Sequence, residues 1–346
     1  TVFEKLKKAV NAGYFEELIR KYLLENPHGC IMTLVPKKGL AAQREKELEE
    51  KLEAYRSSLS EEQLDAMVEK TKALEAYQEA GEDPKALECI PMLKRSDIKR
   101  EAAKIINEEL TVDDSLFLYH DVCTNGIGYV DLMFKTDSIA PEQIPYLGLL
   151  KSVLGYVDTE NYTYGELFNE INANTGGINC GVEVFDRADS TEEFQAMFSV
   201  RGKALYTKMD FLFKMIGEIL NSSKLEDTKR LYEIVASVKS RAQVNLTGAG
   251  HSTAVLRAAA YSSPMAAFQD EMAGIGYYQF IEKLEKDFEQ RKEETVEELC
   301  KLMKKILRPE NFMISYTGER ESLETVQKLA GAVKAGLGTE PVEKSK

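Results

Sequence analysis

Histidine, cysteine and acidic side chains most often bind metals or act in hydrolysis, and in this sequence they are poorly grouped. The three histidines, His28, His120 and His251, lie far apart in the sequence. The spacings HExxH, HxxEH and HxH are absent, so no two histidines are placed to share a zinc ion on one helix or strand. The sequence also lacks a GxSxG elbow, a GxxxxGK[ST] loop and a GxGxxG that opens a helix after a strand. Because these motifs are absent, motif matching predicts no catalytic and no metal-binding residue.

Two segments carry polar residues without a recognisable motif. His120 is followed closely by Asp121 and Cys123, which are all metal-ligand types. In a strand, alternation sends His120 to one face and the other two to the opposite face, which favours an ordinary strand end over a metal site. Residues 172–179 are polar and glycine-rich and pass from a predicted helix to a predicted strand. They either line a cleft or simply stop the helix and turn the chain.

The segment 248–252 is a further candidate for a binding site. Glycine-rich backbone ahead of a helix can hold an anion, and the imidazole of His251 could add a hydrogen-bond donor. The alternative is a closely packed helix junction with a hydrogen-bonded histidine, since one histidine without an orienting carboxylate is a weak signal. Gly248, Gly250 and His251 are therefore the candidate residues for anion contact or for lining a chamber.

The elements that would position these residues follow from hydrophobic periodicity. Residues 110–330 predict one α+β domain, with a mixed or antiparallel sheet and helices packed on one face. Strands are predicted at 116–120, 127–134, 178–185, 194–200 and 312–316, the first two around the turn-like Thr124-Asn125-Gly126. Helices are predicted at 141–154, 163–174, 211–220, 231–242, 265–288, 296–306 and 322–337.

An αα-hairpin and an extended connector are predicted for residues 37–109. Apolar residues recur at helical spacing on both sides of Ser58-Leu59-Ser60, and Ser60 with Gln63 forms a capping-box pattern. Residues 41–82 contain 12 acidic and 6 basic residues, so the hairpin has wide charged faces. Such faces are usually solvated, but an acidic surface that attracts basic peptides is the alternative interpretation.

The ends of the sequence predict a piece of a longer protein. The first residue is not methionine, and the first ten residues have no apolar signal core. Residues 1–36 are interpreted as the C-terminal remnant of a preceding α+β domain, and residues 331–346 as a C-terminal linker. The apolar run Cys30–Val35 has the length of a strand, whose partners are expected outside this sequence. The apolar stripe of residues 1–36 is therefore expected to lack its natural partners.

Composition excludes several classes of function. The chain has 346 residues, 58 acidic and 45 basic, with a net charge of −13, so nucleic acid and anionic membranes would repel it. The longest stretch without charge, Ala242–Leu256, is shorter and more polar than a membrane span of about 20 residues. Five scattered cysteines without a CxxC favour free thiols in a reducing compartment. We expect a cytoplasmic location, or an organelle matrix if a targeting segment lies outside this sequence.

Several segments, taken in order, resemble one enzyme family. They are NPHGCIMTLVP, the charged hairpin, ECIPMLKRSDI, YHDVCTNGIGYVDLMF, IPYLGLL, TGGINCGVEVF, VRGKAL, GAGHSTAVLRAA and EMAGIGYYQFIEKLE. Together they are similar to the insulinase/pitrilysin-type zinc metallopeptidases, in particular the presequence-protease branch. The resemblance implies long chains built of four similar α+β domains in two halves, joined by a helical hairpin around a peptide-digesting chamber. By this resemblance the sequence covers the end of the second domain, the hairpin linker and the third domain.

The resemblance also implies where zinc would bind. The family's inverted HxxEH motif lies in the first domain, on the helix that follows the first strand pair. The matching helix of this domain reads Ile144-Pro145-Tyr146-Leu147-Gly148-Leu149-Leu150, which contains neither His nor Glu. No zinc ligand carries over, so no cofactor is expected in this chain, and zinc is expected in the parent enzyme's N-terminal domain.

The resemblance thus predicts a non-catalytic middle fragment of a zinc metallopeptidase that degrades unfolded peptides. The full-length parent would be a metalloendopeptidase, and the fragment alone would be inactive. The fragment would form part of the chamber wall and, through its hairpin, the hinge between the halves. Its expected partners are the missing N- and C-terminal domains and unfolded peptides, with no nucleic acid or membrane. The alternative is a stand-alone scaffold or binding protein built on a degenerate peptidase domain.

Overall fold

The computed structural model describes residues 1–102 and 104–339, with Thr191 described by its backbone alone. The chain divides into two compact units, residues 1–100 and the residues from 101 onward. The helices of the first unit are α1 (Val2–Val10), α2 (Tyr14–Ile19) with a π-helical turn at Arg20–Leu24, α3 (Leu40–Ser58), α4 (Glu61–Glu79) and α5 (Pro84–Leu87).

The predicted helical hairpin corresponds to α3 and α4. The backbone amide of Gln63 donates to the Ser60 hydroxyl at 3.3 Å, and the Ser60 amide donates to the Gln63 side chain at 3.0 Å, which confirms the predicted capping box. Within residues 1–100, all of which the structure describes, no side chain is buried. The apolar stripe near the N-terminus is open to solvent as well, with Phe3 77% exposed.

The strand predicted at Cys30–Val35 is wrong. These residues lie in irregular backbone, and Ile31 is 99% exposed. An apolar run forms a strand only when neighbouring strands accept its hydrogen bonds. No strand lies among residues 1–100, all of them described, so the run has no partner.

The second unit contains six strands and the remaining helices. The strands are β1 (Glu108–Val112), β2 (Ser115–Asp121), β3 (Ile127–Lys135), β4 (Ile178–Arg187), β5 (Ser190–Leu205) and β6 (Phe312–Gly318). The helices are α6 (Ile144–Val153), α7 (Tyr164–Asn174), α8 (Met209–Ser222), α9 (Thr228–Gly248), α10 (Gly250–Ala259), α11 (Pro264–Ala273), α12 (Ile275–Lys286), α13 (Phe288–Ile306) and α14 (Leu323–Ala335). Every strand and helix predicted for this unit is present, the segment 265–288 as the two helices α11 and α12, and β1 and α10 are additional elements.

The six strands form one mixed sheet in the order β1-β2-β6-β3-β5-β4. Among the strands of the described residues, only β2 and β6 pair in parallel, with Tyr119 opposite Tyr316. The turn at Asn125 and Gly126, both with positive φ, reverses the chain between β2 and β3 as predicted. The two strands nevertheless do not pair, because β6 lies between them.

Helices cover one face of this sheet, as the alternation predicted. Phe117 and Tyr119 of β2, Leu132 of β3 and Ile314 of β6 are fully buried on the covered face. Helices α8, α11 and α14 contact the strands there. Alternate residues such as Tyr129, which is 42% exposed, lie on the other face. The predicted fold class, α+β with helices on one face of a mixed sheet, is confirmed.

A tight cluster of helices lies beside the sheet and shapes the site described below. Helix α6 contacts α9, α11, α12 and α13. Gly148 permits this close approach, since a Cβ there would lie 2.6 Å from the Met272 carbonyl oxygen and 2.8 Å from the Tyr277 ring. At the junction of α11 and α12, the carboxylate of Asp270 accepts hydrogen bonds from the amides of Ile275 and Gly276. These contacts fix the start of α12.

Candidate functional site

Helix α6, to which the resemblance assigns the position of the zinc motif, faces the core with apolar side chains. On α6, Leu147 and Leu149 are 0% exposed and Leu150 is 1% exposed. Zinc requires imidazole, thiolate or carboxylate ligands, and this helix has none. In the part of the chain that the structure describes, no three His, Cys, Asp or Glu side chains are grouped to hold a metal ion. The residues present do not fit a zinc ion.

A cleft of about 730 Å³ lies next to α6; we call it the main cleft. The end of α6, the beginning of α9, the end of α7 and the edge strand β4 form its walls. Strand β4 pairs only with β5 among the described strands, so its other edge borders this cleft. The volume of the cleft lies within the range of pockets that hold small ligands.

Cationic side chains are prominent in the main cleft. Arg230 is already engaged, because it donates to the Tyr156 carbonyl and pairs with Glu233, both at 2.9 Å. Lys151 and Arg241 also line the cleft, and neither forms a direct ion pair with another described residue. Burial lowers the pKa of Lys151, and the charge of a neighbouring carboxylate opposes this only in part. The free cations favour an anionic ligand.

The cysteine of the main cleft is not a nucleophile. Cys180 lies on β4, and burial raises the pKa of its thiol to about 12. The thiolate is the reactive form, and it is scarcely populated at neutral pH with such a pKa. The described histidines do not line the main cleft either, so no imidazole there could take the thiol proton. The arrangement supports binding and does not support acyl transfer.

A second groove, of about 460 Å³, lies on the open face of the sheet. Arg201 of β5 connects two carboxylates there, with its Nε 2.8 Å from Asp131 and its Nη1 3.0 Å from Glu183. Burial raises the pKa of Asp131, and Arg201 opposes that shift. The Oδ1 atom of Asp131 is buried and has no hydrogen-bond partner among the described residues. We call this the open-face groove.

Residues 172–179 fit both interpretations that the sequence left open, a cleft wall and a helix stop followed by a turn. Asn172 lines the main cleft, while Gly177 and Asn179 line both the main cleft and the open-face groove. Gly177 has a φ of 107°, a conformation that only glycine adopts readily. Residues 172–179 therefore stop α7, turn the chain and separate the two openings.

The residues around His120 are structural, as alternation predicted. The ring nitrogens of His120 lie 2.7 Å from the Ile106 carbonyl oxygen and 3.1 Å from the Ser315 hydroxyl. Asp121 instead approaches Arg320 at 3.5 Å. His120 and Asp121 thus have different neighbours and do not converge.

The predicted anion-contact residues lie at the junction of α9 and α10. Gly248 ends α9, Gly250 begins α10, and His251 is exposed on the first turn. A Cβ at either glycine would meet nothing within 4 Å, so the backbone there is open. These residues line neither the main cleft nor the open-face groove. Their role in anion contact stays a prediction.

Comparison with known proteins identifies the family. The model of the domain described as associated with subfamily C of the M16 peptidases matches residues 34–284, and the chain belongs to that family. Protein HypA of Clostridium perfringens is 36% identical over 321 residues, which are 93% of this chain and 33% of HypA. Presequence protease 1 of Arabidopsis thaliana, chloroplastic/mitochondrial, is 28% identical over 327 residues, 94% of this chain and 30% of that protein. The resemblance to presequence proteases is thereby confirmed.

The chain spans about a third of the length of these curated relatives. Among solved structures, a peptidase M16 inactive domain from Pseudomonas fluorescens matches with a TM-score of 0.46 and 15% identity, covering 69% of this chain and 53% of that one. A likeness of that size supports no argument about function. Among the helices that the structure describes, none has the length and apolar composition needed to cross a membrane.

Sequence reasoning missed the polar residues that the helices bring together beside α6. Lys151 and Ser152 of α6, Arg241 of α9 and Tyr277 of α12 line adjoining openings. Lys151 and Ser152 lie about a hundred residues before Arg241 and Tyr277 in the sequence. The four residues form no motif. The only local signal is Lys151, a charged residue in an otherwise apolar helix.

Proposed function

We propose that this chain is a non-catalytic middle part of a zinc metallopeptidase that degrades unfolded peptides. The main support for the proposal is the contrast between the apolar side chains of α6 and the polar cleft beside this helix. Buried leucines occupy the helix that would bear the zinc ligands, while the adjacent main cleft is open and polar. A domain that has lost its ligands but retains such a cleft is suited to holding substrate.

In this proposal, zinc binds in an N-terminal domain of the parent enzyme that is not part of this chain. The partners of the chain are the remaining N- and C-terminal domains of the same polypeptide and the unfolded peptides. Its main cleft and open-face groove form part of the chamber wall. The presequence proteases among its relatives support this assignment, since the matched region is a third or less of their length.

The hairpin of α3 and α4 is the proposed hinge between the halves of the parent enzyme. Its charged faces and lack of buried side chains support a connecting role over a core role. The proposed location is the cytoplasm or an organelle matrix, which agrees with five free cysteines.

Two measurements on the purified chain test the proposal. The first is cleavage of an unstructured basic peptide, with and without a chelator, together with the zinc content of the protein. We expect no cleavage and no stoichiometric zinc. Chelator-sensitive cleavage with about one zinc per chain would contradict the non-catalytic assignment.

The second measurement tests whether unfolded peptides contact the main cleft. A peptide that carries a photoreactive benzophenone is cross-linked to the chain, and the modified residues are located by mass spectrometry. We expect cross-links at the exposed aromatic residues of the main cleft, Tyr156 and Phe168. The control is Tyr261, which is 83% exposed and lines neither opening. Equal labelling of Tyr261 would show that exposure alone directs the reaction.

A further inference from the structure

A small pocket of about 290 Å³ adjoins the main cleft between α6, α9 and α12. We call it the side pocket. Ser152 and Arg241 line both the side pocket and the main cleft, so they form the boundary between the two. Tyr277 and Asn245 are among the other polar residues of the side pocket. A ligand lying in the main cleft can therefore place one short group into the side pocket.

The polar group of the side pocket that most needs a partner is the hydroxyl of Tyr277. The side chain is 5% exposed, and its hydroxyl forms no hydrogen bond of normal geometry with any described residue. Burial raises the pKa of Tyr277, while Ser152 and Arg241 lie near enough to oppose that effect. Tyr277 therefore stays protonated and can donate a hydrogen bond. A buried hydroxyl without a hydrogen bond destabilises the fold, and a ligand that accepts a hydrogen bond from it would remove that cost.

The charges around the side pocket select the ligand. Arg241 is exposed at the boundary and has no ion pair with any other described residue. Lys151, the neighbour of Ser152, adds a second unpaired cation in the main cleft. A guanidinium binds a carboxylate through two parallel hydrogen bonds, and hydroxyls can donate to the remaining lone pairs. The described residues that line the side pocket include no Asp or Glu, so the pocket has no carboxylate that would favour a cationic ligand.

We propose that the side pocket binds a carboxylate group, held by the guanidinium of Arg241 and the hydroxyl of Tyr277, with the hydroxyl of Ser152 turning to the ligand from the Gly148 carbonyl, 3.4 Å away. That the carboxylate belongs to a peptide rests on the proposed function. It is then either the C-terminal carboxylate of the peptide or that of an acidic side chain. The binding chemistry of the pocket does not depend on which of the two enters.

The first test uses small probes, so that it does not depend on peptide binding. N-acetylglycine carries a terminal carboxylate after a peptide unit, and N-acetylglycinamide is the same molecule without the charge. We expect N-acetylglycine to shift the ring signal of Tyr277 in a ¹³C-tyrosine spectrum of the full chain, and N-acetylglycinamide to leave it unchanged. N-acetylglutamate with its α-carboxyl amidated tests a side-chain carboxylate in the same way. The absence of a shift with both acids would overturn the proposal.

The variants Tyr277→Phe and Arg241→Gln test the assigned residues. Each is expected to weaken binding of the effective acid by about tenfold, the usual effect of a lost hydrogen bond to a charged group. Tyr277→Phe should leave the thermal stability unchanged or raised, because the hydroxyl of Tyr277 forms no hydrogen bond of normal geometry among the described residues. Lys239→Gln is the matched control: Lys239 also lies on α9 but pairs with Glu285 at 3.4 Å and lines neither opening.

Unchanged affinity in Tyr277→Phe and Arg241→Gln would overturn the assignment, as would an equal loss in Lys239→Gln. The proposed function fails separately. If the small acids bind at Tyr277 but no unstructured peptide cross-links to the main cleft, the carboxylate pocket stands and the chamber-wall proposal is wrong. If peptides cross-link but the small acids do not bind, the reverse holds.

Discussion

Asp270 is the best place to test the energetics of the helix cluster, since one carboxylate there connects three helices. It lies at 1% exposure on α11, accepts from the amides of Ile275 at 3.0 Å and Gly276 at 3.1 Å, and pairs with Arg257 of α10 at 2.6 Å. Asp270→Ala removes the acceptor and leaves two amides at the start of α12 unpaired. Because the amide of Gly276 is buried with its acceptor, water cannot simply replace the carboxylate.

The expected loss follows from these contacts. A hydrogen bond to a charged group contributes about 1.5–3 kcal/mol, and there are two from the backbone. The pair with Arg257 adds little, since that side chain is 38% exposed and solvent screens exposed pairs. Allowing for relaxation, we expect Asp270→Ala to lower the free energy of unfolding by about 3–4 kcal/mol. Arg257→Gln should lower it by much less than Asp270→Ala.

The assay is urea denaturation followed by far-UV circular dichroism, because the chain has no tryptophan. In a thermal scan, the same change should lower the melting temperature of Asp270→Ala by about 6–16 °C for a unit of this size. Asp270→Asn retains one acceptor oxygen and should fall between the two variants. A loss below about 1 kcal/mol in Asp270→Ala, or an equal loss in Arg257→Gln, would refute the reasoning that the backbone cap dominates.

Three further predictions concern single side chains. Gly148→Ala should destabilise the fold by about 1–3 kcal/mol, because the new methyl group meets the Met272 carbonyl and the Tyr277 ring. The control is Gly217→Ala, which also lies inside a helix but would place its methyl group where no atom lies within 4 Å. Gly217→Ala should instead stabilise the fold by about 0.5–1 kcal/mol. Lys151 should titrate below its ordinary pKa of 10.5 in a ¹³C-lysine spectrum, because burial disfavours its charge. Between the folded and unfolded pKa values of Lys151, the folded state binds fewer protons than the unfolded state, so the free energy of unfolding rises with pH in that interval. Lys151→Met removes the buried charge and should therefore be more stable than the parent chain at neutral pH, and this difference should shrink as the pH rises through the interval. Cys180 should react with a thiol reagent more slowly than the exposed Cys30, since burial raises the pKa of the Cys180 thiol; equally fast labelling of the two in the native state would contradict this.

Periodicity predicted the elements of the second unit well, and pairing much less well. Alternation at Phe312, Ile314 and Tyr316 was enough to predict β6, because that strand is buried on one face only. Nothing local in those residues indicates that β6 inserts between β2 and β3, since the partners are almost 200 residues away in the sequence. Cys30–Val35 shows the opposite error, an apolar run that lacks a neighbour.

The candidate site could be predicted only in part. Residues 172–179 indicated a cleft through local composition, and the leucines of α6 could be recognised because the resemblance fixed where to look. The side pocket was invisible in the sequence, because Ser152, Arg241 and Tyr277 come together only when α6, α9 and α12 pack. An unpaired hydroxyl is a property of three-dimensional packing, and no spacing rule can reveal it.

The placement of β6 determines when this domain can fold during synthesis. Until the ribosome has released residues 312–318, β2 and β3 each lack their central neighbour, and both present an unpaired edge. Open strand edges invite pairing with other chains, so a nascent or truncated polypeptide that ends before Phe312 is exposed to aggregation. The sheet is completed in its middle, by β6, and only after most of the chain has been synthesised. Residues 312–318 are therefore as necessary for folding as the residues of the central core.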